Sequence, residues 1–106
     1  MNKDNTHIEN ILDSVRKIEE FTDKVSEDDF LNNQMMESAV ILHLALIGEE
    51  SNKISNETKS RIDLPWREIM GFRNMAFHDY MNLSLKIVWK TIQNRIPELR
   101  ERLSKI

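Results

Sequence analysis

Apolar side chains return along the chain every three or four residues rather than every two, and only two glycines and two prolines punctuate its 106 positions. That period belongs to helices burying one stripe, and no strand-like alternation competes with it, so the pattern predicts an all-α chain. A first helix is expected from about Asn5 to Phe21, with Ile8, Ile11, Leu12, Val15 and Ile18 on one side. Asp4, Asn5 or Thr6 is placed to cap it. Ser26 before Glu27-Asp28-Asp29 reads as a second helix start, because a hydroxyl accepts from free amides and carboxylates suit the positive end of the helix dipole.

The segment from about Asn33 to Ile54 is the apolar centre. Met35, Met36, Ala39, Val40, Leu42, Leu44, Ala45, Leu46 and Ile47 nearly encircle it. This predicts burial by neighbouring helices plus another subunit, with a monomeric bundle as the alternative; the methionines are read as gap-filling core. Gly48 costs about 1 kcal/mol relative to alanine inside a helix, so it predicts close approach of another backbone in preference to a local break. After the polar stretch Ser55 to Ser60, a short turn or helix is expected before Asp63. Pro65 suits the first turn of a third long helix, with Trp66, Ile69, Met70, Ala76 and Phe77 on its apolar side and an end near His78 to Tyr80. Ser84 can cap a final helix through Leu85, Ile87, Val88, Trp89 and Ile92, which Pro97 is expected to kink or restart before Leu99 and Leu103. The sum is one domain over residues 1–106, a compact bundle of four to five helices.

Composition narrows the setting. There are no cysteines, so disulfides and thiolate metal sites are excluded and a reducing cytoplasm is expected. The start, MNKDNTHIEN, has no apolar core of an export signal, and the longest apolar run, Ala39 to Ile47, is interrupted by His43 and too short to span a bilayer. No membrane association is expected. The net charge of −3 hides an asymmetry: residues 1–52 carry 12 acids and 4 bases, whereas residues 53–106 carry 6 acids and 11 bases. Solvated helix faces account for that imbalance as well as a polyanionic partner does.

The basic half also holds the most chemically loaded run, Arg73-Asn74-Met75-Ala76-Phe77-His78-Asp79-Tyr80. Arginine offers a planar fork of donors matching phosphate oxygens, and histidine can accept and return a proton near neutrality. Asn74 and His78, four apart, share a helix face, so the amide can orient the imidazole. Arg73 and His78, five apart, diverge by about 140° on a regular helix. They converge on one phosphate only if the helix unwinds at His78 or a second copy contributes. RNA transesterification needs a base for the 2′-OH, an acid for the leaving 5′-oxygen and a cation for the phosphorane, and a twofold axis near this helix would supply all three. The ordinary alternative makes Arg73 a surface ion pair, His78 a helix C-terminal cation and Tyr80 a core edge.

Other chemistries find little support. The three histidines are far apart, none stands at a ligand spacing from a carboxylate, and neither a Gly-rich phosphate loop nor a Gly-x-Ser-x-Gly elbow is present, so no metal and no cofactor are expected. His43 reads as a core or interface histidine and His7 as solvent exposed. Glu50 reads as a solvent or capping residue, and the role of Glu49 is open.

The assembled residues resemble the HepT toxins of the HEPN superfamily, whose signature is Arg, four residues, His, any residue, Tyr. Arg73, His78 and Tyr80 meet it in full. Leu64-Pro65-Trp66-Arg67-Glu68-Ile69, Gly71-Phe72-Arg73-Asn74, Ile87-Val88-Trp89 and Ile96-Pro97-Glu98-Leu99 extend the likeness, and Ile47-Gly48-Glu49 looks like the central-helix motif of the family. The resemblance covers about residues 30 to 103. It implies a HEPN-like homodimer, with larger assemblies open, and a metal-independent endoribonuclease with His78 as general base or acid, Arg73 as phosphate stabiliser and Asn74 in support. It also implies a toxin–antitoxin pair, in which a minimal nucleotidyltransferase antitoxin transfers adenylate from ATP to Tyr80 (AMPylation). A non-catalytic helical adaptor presenting RNA or a partner to the nucleotidyltransferase is the alternative. Two details accompany the match: Ser84 stands where many relatives have Asp, and Asp79 is placed to raise the proton affinity of His78.

Overall fold

The computed structural model describes residues 3–78 and 80–106. They form α1 (Lys3–Phe21), α2 (Glu27–Leu31), α3 (Gln34–Lys53), α4 (Asn56–Ser60), α5 (Trp66–His78) and α6 (Leu85–Ser104), with a 3-10 turn at Tyr80–Asn82 between the last two. Four of these are long and carry the bundle expected from the apolar period. The other two are single turns, so the helix count exceeds the four to five expected.

Local chemistry explains the boundaries. Ser26, Asn33, Ser55 and Ser84 each accept a hydrogen bond from an amide three residues on, at the starts of α2, α3, α4 and α6. Pro65 stands just before α5, its carbonyl accepting the first helical bond from Ile69 N at 3.0 Å. Asp4 is not a cap for its own helix. It lies within α1, 8% exposed, and accepts from Ser55 N, Ser55 Oγ and Thr58 Oγ1, tying α1 to the start of α4. Those donors pull its carboxyl down from 3.8 to about 2. Pro97 does not restart α6, which continues through it to Ser104.

α3 is the hub, packing against α5 on one side and α1 on another, while α6 covers α1 and α2 bridges α3 and α6. The core comprises Ile11, Val15 and Ile18 of α1, Val40, Leu44 and Ile47 of α3, Ile69 and Phe72 of α5, and Val88, Ile92, Ile96, Leu99 and Leu103 of α6. Phe30 of α2 is fully buried with its ring 5.3 Å from that of Trp89. The molecule measures 42 × 29 × 19 Å, about two helix layers thick. A bundle this thin cannot enclose α3. Met35, Leu42 and Leu46, expected to be covered, are 84%, 53% and 41% exposed. Phe77 and Ile87 are likewise outside the core.

Gly48 behaves as anticipated. A Cβ built there would stand 2.7 Å from Arg73 N and 3.1 Å from Ile69 O, so α3 and α5 meet main chain to main chain. Among the described residues no helix is long and apolar enough to cross a membrane.

Candidate active site

The Gly48 contact fixes where Arg73 leaves α5, and the next residue of α3 fixes where its side chain goes. Glu49 Oε1 lies 2.7 Å from Arg73 Nε, both side chains remaining partly exposed. The guanidinium carbon also sits 5.4 Å from the centroid of the Phe77 ring, one helical turn along. A carboxylate and an aromatic face therefore hold the cation at the surface.

His78 is the last residue of α5 and is exposed, as is Asn74. No hydrogen bond joins Asn74 to His78 among the described residues, so the orienting contact expected between them is not made in the single chain. Nor does a hydrogen bond join Arg73 to His78 among the described residues. Asp79 lies outside the described residues. The ordinary alternative is met in part: Arg73 has an ion pair and His78 ends a helix. Tyr80, however, is no core edge. It is 45% exposed, its phenolic oxygen 3.0 Å from Ser38 Oγ of α3, and it stands between cavities of about 350 and about 200 Å³.

Met35, Ser38, Leu42, Leu46 and Glu49 recur at intervals of three and four, so one stripe of α3 carries all of them. Ser38 meets Tyr80 near one end of the stripe and Glu49 meets Arg73 at the other, with exposed leucines between. Phe77 and Leu42 line the smaller cavity together. The signature residues thus border an uncovered apolar strip. On the far side of Arg73, a groove of about 200 Å³ is lined by Gly48, Asn52, Arg67, Met70, Gly71, Arg73 and Asn74.

The remaining histidines have structural partners. His7 is not solvent exposed as expected: its Nδ1 lies 2.5 Å from Glu50 Oε2, and Asn10 donates to the same carboxylate. Glu50 accordingly is neither a free nor a capping acid. His43 is half-buried, its Nδ1 3.1 Å from Ser14 Oγ and its ring against Phe21, and burial holds it below the ordinary histidine value. Among the described residues no three His, Asp or Glu side chains gather in a way that could hold a metal ion. Glu49 is the site residue whose role sequence reasoning left open, although its place beside Gly48 marked it as close to another helix.

A family model described as ribonuclease HepT-like matches residues 11–106. A protein of Thermococcus cleftensis named "Probable ribonuclease HepT" is 35% identical over 101 residues, covering 94% of this chain and 92% of that protein. One of Methanocaldococcus jannaschii, named a "Putative RNase", is 33% identical over 94 residues, or 88% and 86% of the two chains. Another so named, from Caldanaerobacter subterraneus, is 30% identical over 101 residues, or 94% and 90%. No solved structure matches the chain.

Proposed function

Because the chain belongs to the HepT-like ribonuclease family, we propose that it is a toxin endoribonuclease that cuts RNA in the cytoplasm, as a homodimer and without a metal ion. In the reaction, the 2′-oxygen of a ribose attacks the adjacent phosphorus while the bond from phosphorus to the 5′-oxygen breaks. One imidazole takes the 2′ proton and another gives a proton to the leaving 5′-oxygen, leaving a 2′,3′-cyclic phosphate and a 5′-hydroxyl. Arg73 faces the charge that builds on the phosphorane oxygens. Asn74 supports the imidazole once RNA or the second copy has ordered it.

The observation that carries this reading is the placement of Arg73 and Phe77 beside a stripe of α3 on which Leu42 and Leu46 are exposed. A twofold axis through that stripe would cover the leucines and draw two arginines and two histidines toward one cleft. Tyr80, exposed near the other end of the stripe, is the site at which a minimal nucleotidyltransferase would attach adenylate, putting a tethered phosphate where RNA would lie.

His78→Ala tests the chemistry. Its exposure predicts an intact fold, and cleavage in a chelator-containing assay should fall by about 10² to 10⁴. Cleavage by the variant at the wild-type rate would sink the proposal. The adaptor reading draws on the absence, among the described residues, of a hydrogen bond between Arg73 and His78 in one chain, and RNA binding without new cyclic-phosphate ends would favour it. Intact-mass measurement after coexpression with a minimal nucleotidyltransferase tests the modification, an adenylate gain on Tyr80 being expected.

A further inference from the structure

We propose that the groove floored by Gly71 is a second phosphate subsite, which holds the RNA backbone at a linkage beside the one at Arg73; this rests on the ribonuclease reading above. Arg67, Gly71 and Asn74 stand at i, i+4 and i+7 on one stripe of α5, and Asn52 faces them from α3. Among the described residues the groove lining contains two guanidinium groups, two amides and the Met70 side chain but no carboxylate. That donor set suits an anion with several oxygens.

Two observations indicate that the groove is kept free for something. Arg16, Arg61, Arg73, Arg95, Arg100 and Arg102 each pair with a carboxylate. Arg67 is exposed and, among the described residues, is the one arginine with no such partner. Gly71 is the second observation. Glycine is the least favourable residue for a helix interior apart from proline, and at Gly48 the packing demands it. At Gly71 a Cβ would meet nothing within 4 Å among the described residues, so none of them requires its absence. The bare backbone there is explained by an approaching group from outside.

A strand of RNA fits the groove better than a second copy of the chain does. The exposed leucines lie on the α3 stripe rather than here, and apart from Met70 the groove offers mainly hydrogen-bond donors. Six residues separate Arg67 from Arg73, about 9 Å along the helix axis. That spacing suits neighbouring phosphates of one strand.

The test uses the full chain and a fluorescent 2′-O-methyl oligoribonucleotide, which has no free 2′-hydroxyl and so cannot be cut. Anisotropy is followed across a KCl series. Arg67→Gln should weaken binding about tenfold at low salt and reduce the log–log salt slope by about 0.7, whereas Arg67→Lys should keep the slope. Gly71→Ala should raise Tm by about 4 °C through helix propensity while weakening binding about fivefold or more through loss of phosphate contact. Unchanged affinity and slope in Arg67→Gln, or wild-type binding in Gly71→Ala, would overturn the subsite. So would a Gly71→Ala shift in the monomer–dimer equilibrium by sedimentation with RNA affinity intact, which would make the groove a subunit contact. If His78→Ala abolishes cutting while Arg67→Gln binds normally, the subsite alone fails. If the Arg67 and Gly71 effects appear but wild-type protein cuts no RNA, the catalytic reading alone fails. A wild-type chain that binds no RNA removes both.

Discussion

Glu49 and Arg73 form an ion pair at 2.7 Å directly beside the point where Gly48 touches the Arg73 backbone. Two consecutive residues of α3 therefore hold the main chain and the side chain of the same arginine. The pair is too exposed to matter much for stability, since such contacts contribute roughly 0.2–1 kcal/mol. Its importance lies in direction: the carboxylate aims the guanidinium and also competes with any phosphate for it.

Glu49→Gln separates those effects. We expect Tm to stay within about 3 °C of wild type, and RNA affinity to rise about threefold as a local negative charge is removed. Single-turnover cleavage should slow by about tenfold because the cation loses its fixed aim. Anisotropy and cleavage assays on the same preparation decide the matter, and a variant that cuts as fast as wild type would show that Glu49 does not position Arg73.

Leu42→Asp addresses assembly. At 53% exposure Leu42 contributes little to the core of a single chain, so circular dichroism should report an unchanged helical fold. Sedimentation should show the protein shifting from dimer to monomer, because a carboxylate buried opposite its twin is unfavourable. Cleavage should fall about 100-fold if the two copies pool their arginine and histidine residues. Full activity in a monomeric variant would mean that one chain suffices.

Asp4 gives a pH signature. Thr58 and Ser55 donate to its carboxylate in the folded state and hold it at about 2, below its ordinary 3.8. A depressed folded value means that the stabilisation is fully present above pH 3.8 and disappears as pH falls toward 2. Asp4→Asn should therefore melt several degrees below wild type at pH 7, with the gap closing between pH 4 and pH 2. Glu68 and Asp13, lowered by Arg95 and Arg16 respectively, titrate identically in both proteins, so the difference isolates Asp4. Equal melting temperatures at pH 7 would show that the triple contact contributes nothing.

Local chemistry was readable from the chain and long-range pairing was not. Ser26 and Ser84 announced their helices because capping acts over three residues, and Gly48 announced a close approach because few other reasons place glycine in an apolar helix. His7 was misread because its partner Glu50 stands 43 positions away. Asp4 was misread for the same reason, its donors being more than 50 residues distant. Phe77 was assigned inward by residue type, yet the thin bundle leaves its side of α5 uncovered. The Arg73-to-Tyr80 signature was visible as spacing, but the stripe of α3 that borders it appears only when α3 and α5 are packed.

The Gly48 seam also bears on heat. Backbone pressed against backbone has no rotamers to populate, so warming can scramble the carboxylate around Arg73 without widening the gap between the two helices. Activity should then decline before the bundle melts, as the guanidinium loses its fixed aim, while the arginine's main chain stays anchored until cooperative unfolding.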